Sequence, residues 1–222
     1  MADVAAFDFD GTLTRGGSVL DFLVAVRGRA RVAAATAALA PRLAHGALAG
    51  GAAADRTKEQ LFERILAGEQ VSRVEQVAER FARHHLSGHL RPDVRERLDR
   101  HRRRGDRVVI VSASPEVYVR VAGQLLGADG VVATRLAVDD RRALTGRYEG
   151  ANCRGEEKLH RLRAWMDEDG VVPDRLWAYG NSRGDLRMLG AADVGVNVGR
   201  LGRLGRLRAY AGLDGNPLPD RP

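Results

Sequence analysis

Lysine is nearly missing from this chain: of 36 basic residues only Lys58 and Lys158 are lysines, the rest being arginine. The net charge is +7, but the arginines are scattered among 29 acidic residues and aromatics make up only 5% of the chain. A nucleic-acid surface gathers its cations and interleaves them with stacking rings, so no nucleic-acid partner is expected, although small anions are attracted. A single cysteine, Cys153, cannot close an internal disulfide. The apolar stretch Val4–Phe9 lacks the basic lead-in of a secretory signal, and the expected location is cytoplasmic. No run of 18 uninterrupted apolar residues exists, which leaves no candidate transmembrane segment. The alanine-rich residues 30–54 are broken by Arg31, Pro41, Arg42 and His45 before Gly50-Gly51 ends them.

With 222 residues and 44% hydrophobic content, the chain suffices for one core domain plus a small insert. Val4–Phe9 reads as a buried strand ending in the polar turn Asp8-Phe9-Asp10-Gly11-Thr12. From Ser18 to about Leu90 the apolar spacing turns helical, and Ser72-Arg73-Val74-Glu75 has the spacing of a capping box. Pro92 suits a first helical turn, and Arg102-Arg103-Arg104 before Gly105 suits a helix C-terminus. Val108–Ser112, Val131–Thr134, Leu176–Gly180 and Asp193–Asn197 are further short strands. Ala113-Ser114-Pro115-Glu116 opens a helix after the first of these, and Arg135–Gly150 suggests a hairpin excursion. Short apolar strands alternating with helices imply an α/β fold with a parallel sheet covered on both faces, its ligand site beyond the strands' C-terminal ends.

Those ends collect Asp8 and Asp10, Ser112 and Ser114, and Asn181, Ser182 and Asp185. Carboxylates converging on one rim repel each other unless a hard divalent cation neutralises them, and an oxygen-only ligand set favours magnesium. Lys158, opening an amphipathic segment with Leu159, Leu162 and Trp165, offers a point charge for a phosphoryl group.

In this order the motifs resemble those of the haloacid dehalogenase-like hydrolases, in their phosphoserine-phosphatase-like branch (subfamily IB type). Asp8-Phe9-Asp10-Gly11-Thr12 is similar to the first motif, Ser112 to the second and Lys158 to the third. Gly180-Asn181-Ser182-Arg183-Gly184-Asp185 is similar to the fourth. The resemblance spans residues 4 to about 198. It implies a Rossmann-like core formed by residues 1–14 and 91–222, with a helical cap of residues 15–90 inserted between the first and second motifs. It implies a magnesium-dependent phosphatase in which Asp8 attacks phosphorus, giving an aspartyl-phosphate that water hydrolyses, while Asp10 serves as acid and then base. Magnesium would be held by Asp8, the Asp10 carbonyl, Asn181 and Asp185. Ser112, Lys158 and the amides near Gly11, Thr12 and Ala113 would bind phosphoryl oxygens, with Ser114 among the substrate contacts.

Two departures stand out. The fourth motif often begins Gly-Asp, whereas Asn181 offers an oxygen without charge, so Asp185 is expected to act through water or by orienting Lys158. The alternative that this departure leaves open is a catalytically weakened, phosphate-ester-binding regulatory protein. Phosphoserine phosphatases carry a glutamate soon after the first motif, but here the chain reads Arg15-Gly16-Gly17-Ser18 and has no carboxylate until Asp21. The expected substrate is therefore a small or lysolipid phosphate monoester other than phosphoserine. Lys58 beside Glu59 reads as a surface residue, and His84, His85 and His89 as cap surface. Cys153 reads as an unactivated thiol, the Gly199–Leu207 segment as a terminal helix, and Pro217-Leu218-Pro219 as a loose tail.

Overall fold

The computed structural model describes residues 2–49, 51–199, 207 and 209–219. Its centre is a sheet of five parallel strands: β1 (Val4–Phe7), β2 (Arg107–Pro115), β3 (Gly130–Thr134), β6 (Leu176–Gly180) and β7 (Val194–Asn197), in the order β3-β2-β1-β6-β7. β1 is central, pairing through Val4↔Arg107 on one side and Val4↔Leu176 on the other. With both faces covered, its side chains are all apolar, and the two-residue period sends alternate ones to opposite layers. Ala5 and Phe7 join Val108, Ile110 and Tyr179 under helices α5 (Pro92–Arg103) and α6 (Glu116–Leu126). Val4 and Ala6 join Val109, Val111 and Ala178 under α7 (Glu156–Glu168) and α8 (Leu186–Ala191). The parallel sheet with helices on both faces is thus as the sequence implied.

Between β1 and α5 lie four helices that form the cap: α1 (Val19–Arg27), α2 (Arg29–Ala49), α3 (Gly51–Leu66) and α4 (Val71–His89). Val74, Ala78, Phe81, His85 and Leu86 of α4 recur at helical spacing and are buried. Cap and core share one apolar cluster, in which Tyr118 of α6 meets Phe22 of α1 and Phe81 of α4 at ring-centroid distances of 4.6 and 5.2 Å. The excursion after β3 is an antiparallel hairpin, β4 (Leu136–Val138) and β5 (Leu144–Tyr148), and β5 packs on α3 of the cap. At Gly146, with φ 80°, a Cβ would fall 2.4 Å from Glu63 Cα, so only glycine permits that approach.

Several local expectations are overturned. The Ser72–Glu75 capping box does not form. Gln70 is extended and bridges Ala143, so α4 begins at Val71, one residue before the serine. β2 continues to Pro115 with a register shift after Ser112, and its helix starts only at Glu116. The alanine-rich stretch, by contrast, is helical as expected of the insert, with Pro41 inside α2. His85 is buried at 2% exposure, as is His101 at 0%, so these rings belong to the core while His84 is exposed. The tail is not loose: Leu218 is buried, and Arg97, Arg100 and Arg104 of α5 and its C-cap donate to the carbonyls of Leu213, Asn216, Leu218 and Pro219 at 2.5–2.9 Å. The basic stretch at the end of α5 thereby straps the C-terminal segment to the core. Most of the expected terminal helix, residues 200–206, lies outside the described residues, while Leu207 is buried against the α7–α8 layer.

Candidate active site

Because β1 runs parallel to both neighbours, the C-terminal ends of β1, β2 and β6 open on one rim. Asp8 follows directly on β1, tied by its amide to Tyr179 O at 2.9 Å. Its carboxylate accepts Thr12 Oγ1 at 2.8 Å on one oxygen and Lys158 Nζ at 2.6 Å on the other. Lys158, 2% exposed on the first turn of α7, also donates to Asp185 Oδ1 at 2.5 Å. The other Asp185 oxygen accepts the amides of Asn181 and Ser182, at 3.1 and 2.9 Å, and Ser182 Oγ at 2.8 Å. A capping box between Ser182 and Asp185 closes the 3-10 turn Arg183–Asp185 and so fixes the acid.

Three buried charges thus leave one negative charge in excess. Burial pushes the Asp8 carboxyl up to about 7, Asp185 adding to the rise and Lys158 opposing it. Burial would raise Asp185 too, but the Lys158 ammonium and its hydrogen bonds hold it below the ordinary range. Burial would lower Lys158, and the two carboxylates outweigh it and hold the ammonium above its usual value.

The remaining motif residues surround this trio. Asp10 Oδ1 accepts the Ser18 amide at 2.8 Å and Oδ2 accepts Ser114 Oγ, while the Ser114 amide donates to Ser112 Oγ at 3.0 Å. Asn181 sits against Gly11, where a Cβ would meet Asn181 Nδ2 at 1.9 Å, and φ is 79°. Only glycine is compatible with that close approach. Asn181 Oδ1 is buried with no hydrogen-bond partner among the described residues. Such an orphaned oxygen beside an excess negative charge suits a hard cation. Among the described residues no three His, Cys, Asp or Glu side chains form a metal cluster of their own. Asp10's carboxylate is engaged by Ser18 and Ser114, which leaves the backbone and amide oxygens to complete an oxygen-only set.

Lys58 was missed by sequence reading. It reaches from α3 across to the core, donating to Ala113 O at 2.5 Å and Asn152 Oδ1 at 3.2 Å. Burial lowers its ammonium to about 8, against the pull of Asp10 and Asp55. Its scarcity as one of two lysines was the available signal. Cys153, by contrast, is buried and inert, its thiol raised to about 11 by burial.

A carboxylate at the end of the central strand, paired through a lysine with a second acid and overlain by a helical cap, is the arrangement of capped Rossmann-like hydrolases that work through an aspartyl-phosphate. Across residues 5–190 the chain matches the haloacid dehalogenase-like hydrolase family and belongs to it. It is 35% identical to Protein CicA of Caulobacter vibrioides (strain NA1000 / CB15N) over 194 residues, covering 86% of this chain and 83% of that protein. Phosphoserine phosphatase SerB2 of Mycobacterium tuberculosis (strain ATCC 25618 / H37Rv) is 30% identical over 86% of this chain, which spans 42% of its length. Among solved structures, a protein of unknown function from Bordetella pertussis Tohama I superposes with a TM-score of 0.80 at 22% identity, covering 96% of this chain and 99% of that one. The fold is also that of a substrate-bound phosphoserine phosphatase, which superposes with a TM-score of 0.62 at 21% identity, covering 89% of this chain and 86% of that one. No described helix is long and apolar enough to cross a membrane.

Proposed function

We propose that the protein is a magnesium-dependent phosphomonoesterase acting on a small or lysolipid phosphate monoester, with residues 1–14 and 91–222 as catalytic core and 15–90 as cap. The observation that carries this reading is Lys158 held between Asp8 and Asp185, beside the unpartnered oxygen of Asn181. Lys158 and the Ser112 hydroxyl receive the phosphoryl oxygens, together with the amides around Gly11, Thr12 and Ala113. Asp8 attacks phosphorus, forming an acyl-phosphate bond as the bond to the leaving oxygen breaks. Asp10, oriented by Ser18 and Ser114, gives its proton to that oxygen and then removes one from the water that attacks the aspartyl-phosphate. Asp8, Asn181, Asp185 and the Asp10 carbonyl are the groups that would hold magnesium, which when bound neutralises charge on the transferring phosphoryl group. Lys158 favours the charged form of the nucleophile against the rise that burial imposes, and the cap keeps bulk water from the intermediate.

The similarity to phosphoserine phosphatase SerB2 supports a phosphate monoester, while the Arg15-Gly16-Gly17-Ser18 stretch disfavours phosphoserine itself. A second reading, a weakened ester-binding regulator, draws on Asn181 standing where an acid is usual. The test is phosphate release from phosphorylated amino acids, sugars, histidinol phosphate and lysophosphatidic acid, with magnesium and with EDTA, using Asp8→Asn as the blank. Magnesium- and Asp8-dependent release is expected. Folded, magnesium-binding protein that binds these esters without release would establish the second reading instead.

A further inference from the structure

Among the hydrogen bonds that cross between cap and core, one chain leads from a cap lysine to the residue assigned to proton transfer. Lys58 of α3 donates to Ala113 O at 2.5 Å, and Thr134 Oγ1 donates to the same oxygen at 2.8 Å. Asn152 Oδ1 accepts from Lys58 at 3.2 Å and, 2.8 Å from Thr134 Oγ1, shares that hydroxyl's single proton with Ala113 O, and Asn152 Nδ2 returns to the cap by donating to Asp55 Oδ1 at 2.7 Å. The peptide carrying the Ala113 carbonyl carries the Ser114 amide on its other side. That amide points at Ser112 Oγ, 3.0 Å away, and the Ser114 hydroxyl donates to Asp10 Oδ2. A peptide unit is planar, so fixing its carbonyl fixes its N–H and the start of the next residue. The fixed carbonyl therefore sets where Ser114 presents its hydroxyl, and with it where Asp10 points.

This peptide lies where β2 loses register with β3, between Ser112 and Pro115. The register shifts across it, and the cap lysine and Thr134 restrain its carbonyl. Lys58 meets neutral acceptors here, and the Asp10 and Asp55 carboxylates act on it through space. Among the described residues no carboxylate pairs directly with this half-buried ammonium, whose hydrogen bonds go instead to the Ala113 carbonyl and Asn152.

We propose that Lys58 is a positioning residue: by pinning the Ala113–Ser114 peptide from the cap, it holds Asp10 in the orientation that delivers a proton to the leaving oxygen, coupling acid catalysis to cap closure. The inference rests on the phosphomonoesterase reading and adds a role for the cap within it. Its signature is dependence on the leaving group. An alkoxide needs the proton, whereas 2,4-dinitrophenolate departs without one.

The test compares kcat/KM, which reports phosphoryl transfer to Asp8 and not the later hydrolysis common to both esters, for Lys58→Met and wild type on glycerol 3-phosphate and on 2,4-dinitrophenyl phosphate, in magnesium. The loss on the alkyl ester should exceed the loss on the aryl ester by at least about tenfold, in keeping with the ~100-fold or larger worth of a positioned acid. Thr134→Val, which removes the second bond to the same carbonyl, should show the same asymmetry more weakly and serves if Lys58→Met does not fold. Equal losses on both esters, or no loss on either, overturn the proposal. If wild type itself releases nothing from the aryl ester, the phosphomonoesterase reading fails first, and the two failures are told apart.

Discussion

Lys158 Nζ lies 2.5 Å from Asp185 Oδ1, and this bond joins the helix after the hairpin to the turn after β6 across 27 residues of sequence. Its companion bond to Asp8 makes the lysine the common counter-ion of two buried acids. Removing one member of such a group leaves uncompensated charge in a dry site, at a typical cost of about 3–5 kcal/mol. Lys158→Met should therefore lose both turnover and stability by urea unfolding. Lys158→Met combined with Asp185→Asn should regain part of the stability and none of the turnover. A double variant no more stable than the single one would contradict the charge argument.

Asp8 carries the opposite signature. Its folded-state value is raised from 3.8 to about 7, so its contribution is fully present below 3.8 and is lost as pH rises through 7. In EDTA at pH 8, Asp8→Asn should be more stable than wild type by about 2–4 kcal/mol. The gap should shrink toward pH 5 and on adding magnesium. Chemical denaturation across that range reads it directly.

In the proposed site Asn181 would hold magnesium through its Oδ1, which has no hydrogen-bond partner among the described residues. Asn181→Ala should raise the magnesium concentration for half-maximal activity by about tenfold, and Asn181→Asp should lower it. Titration of activity with magnesium decides the point, and unchanged dependence in Asn181→Ala would remove this residue from the ligand set.

His101 is buried neutral. Its Nδ1 lies 2.8 Å from Asp106 and its Nε2 2.7 Å from the Tyr179 hydroxyl, an arrangement suited to the Nδ1–H tautomer. Burial, reinforced by Arg104 and Arg97, lowers its value from 6.5 to about 3. A depressed histidine contributes stability that is complete above 6.5 and lost as pH falls toward 3. Between pH 6.5 and 5 wild type should lose about 2 kcal/mol more than His101→Gln. Parallel pH profiles of the urea midpoint for the two proteins would refute this.

The strands and the rim were legible because their signals are local. Val4–Phe7 is apolar on both faces and ends at Asp8, and Asn181 and Asp185 are four residues apart on one turn. What escaped sequence reading depends on partners far along the chain. Lys58 looks like a solvated helix residue beside Glu59 until Ala113 and Asn152, 55 and 94 residues on, come into reach. The tail looked loose because Leu218 is anchored by arginines more than a hundred residues earlier. Ser72 had the right neighbours for a cap, but the Gln70–Ala143 bridge set the start of α4 first. His85 followed the same logic, its ring lying at a centroid distance of 6.2 Å from that of Phe9, which follows β1.

The central claim is that Asp8 becomes covalently phosphorylated. Acid quenching during turnover of a 32P-labelled ester, then borohydride reduction and peptide mapping, tests it most directly. Acid-stable label on the protein before reduction, and homoserine at position 8 with the label released as phosphate after it, are expected in wild type, and neither in Asp8→Asn. Steady phosphate release with label absent from position 8 would contradict the account.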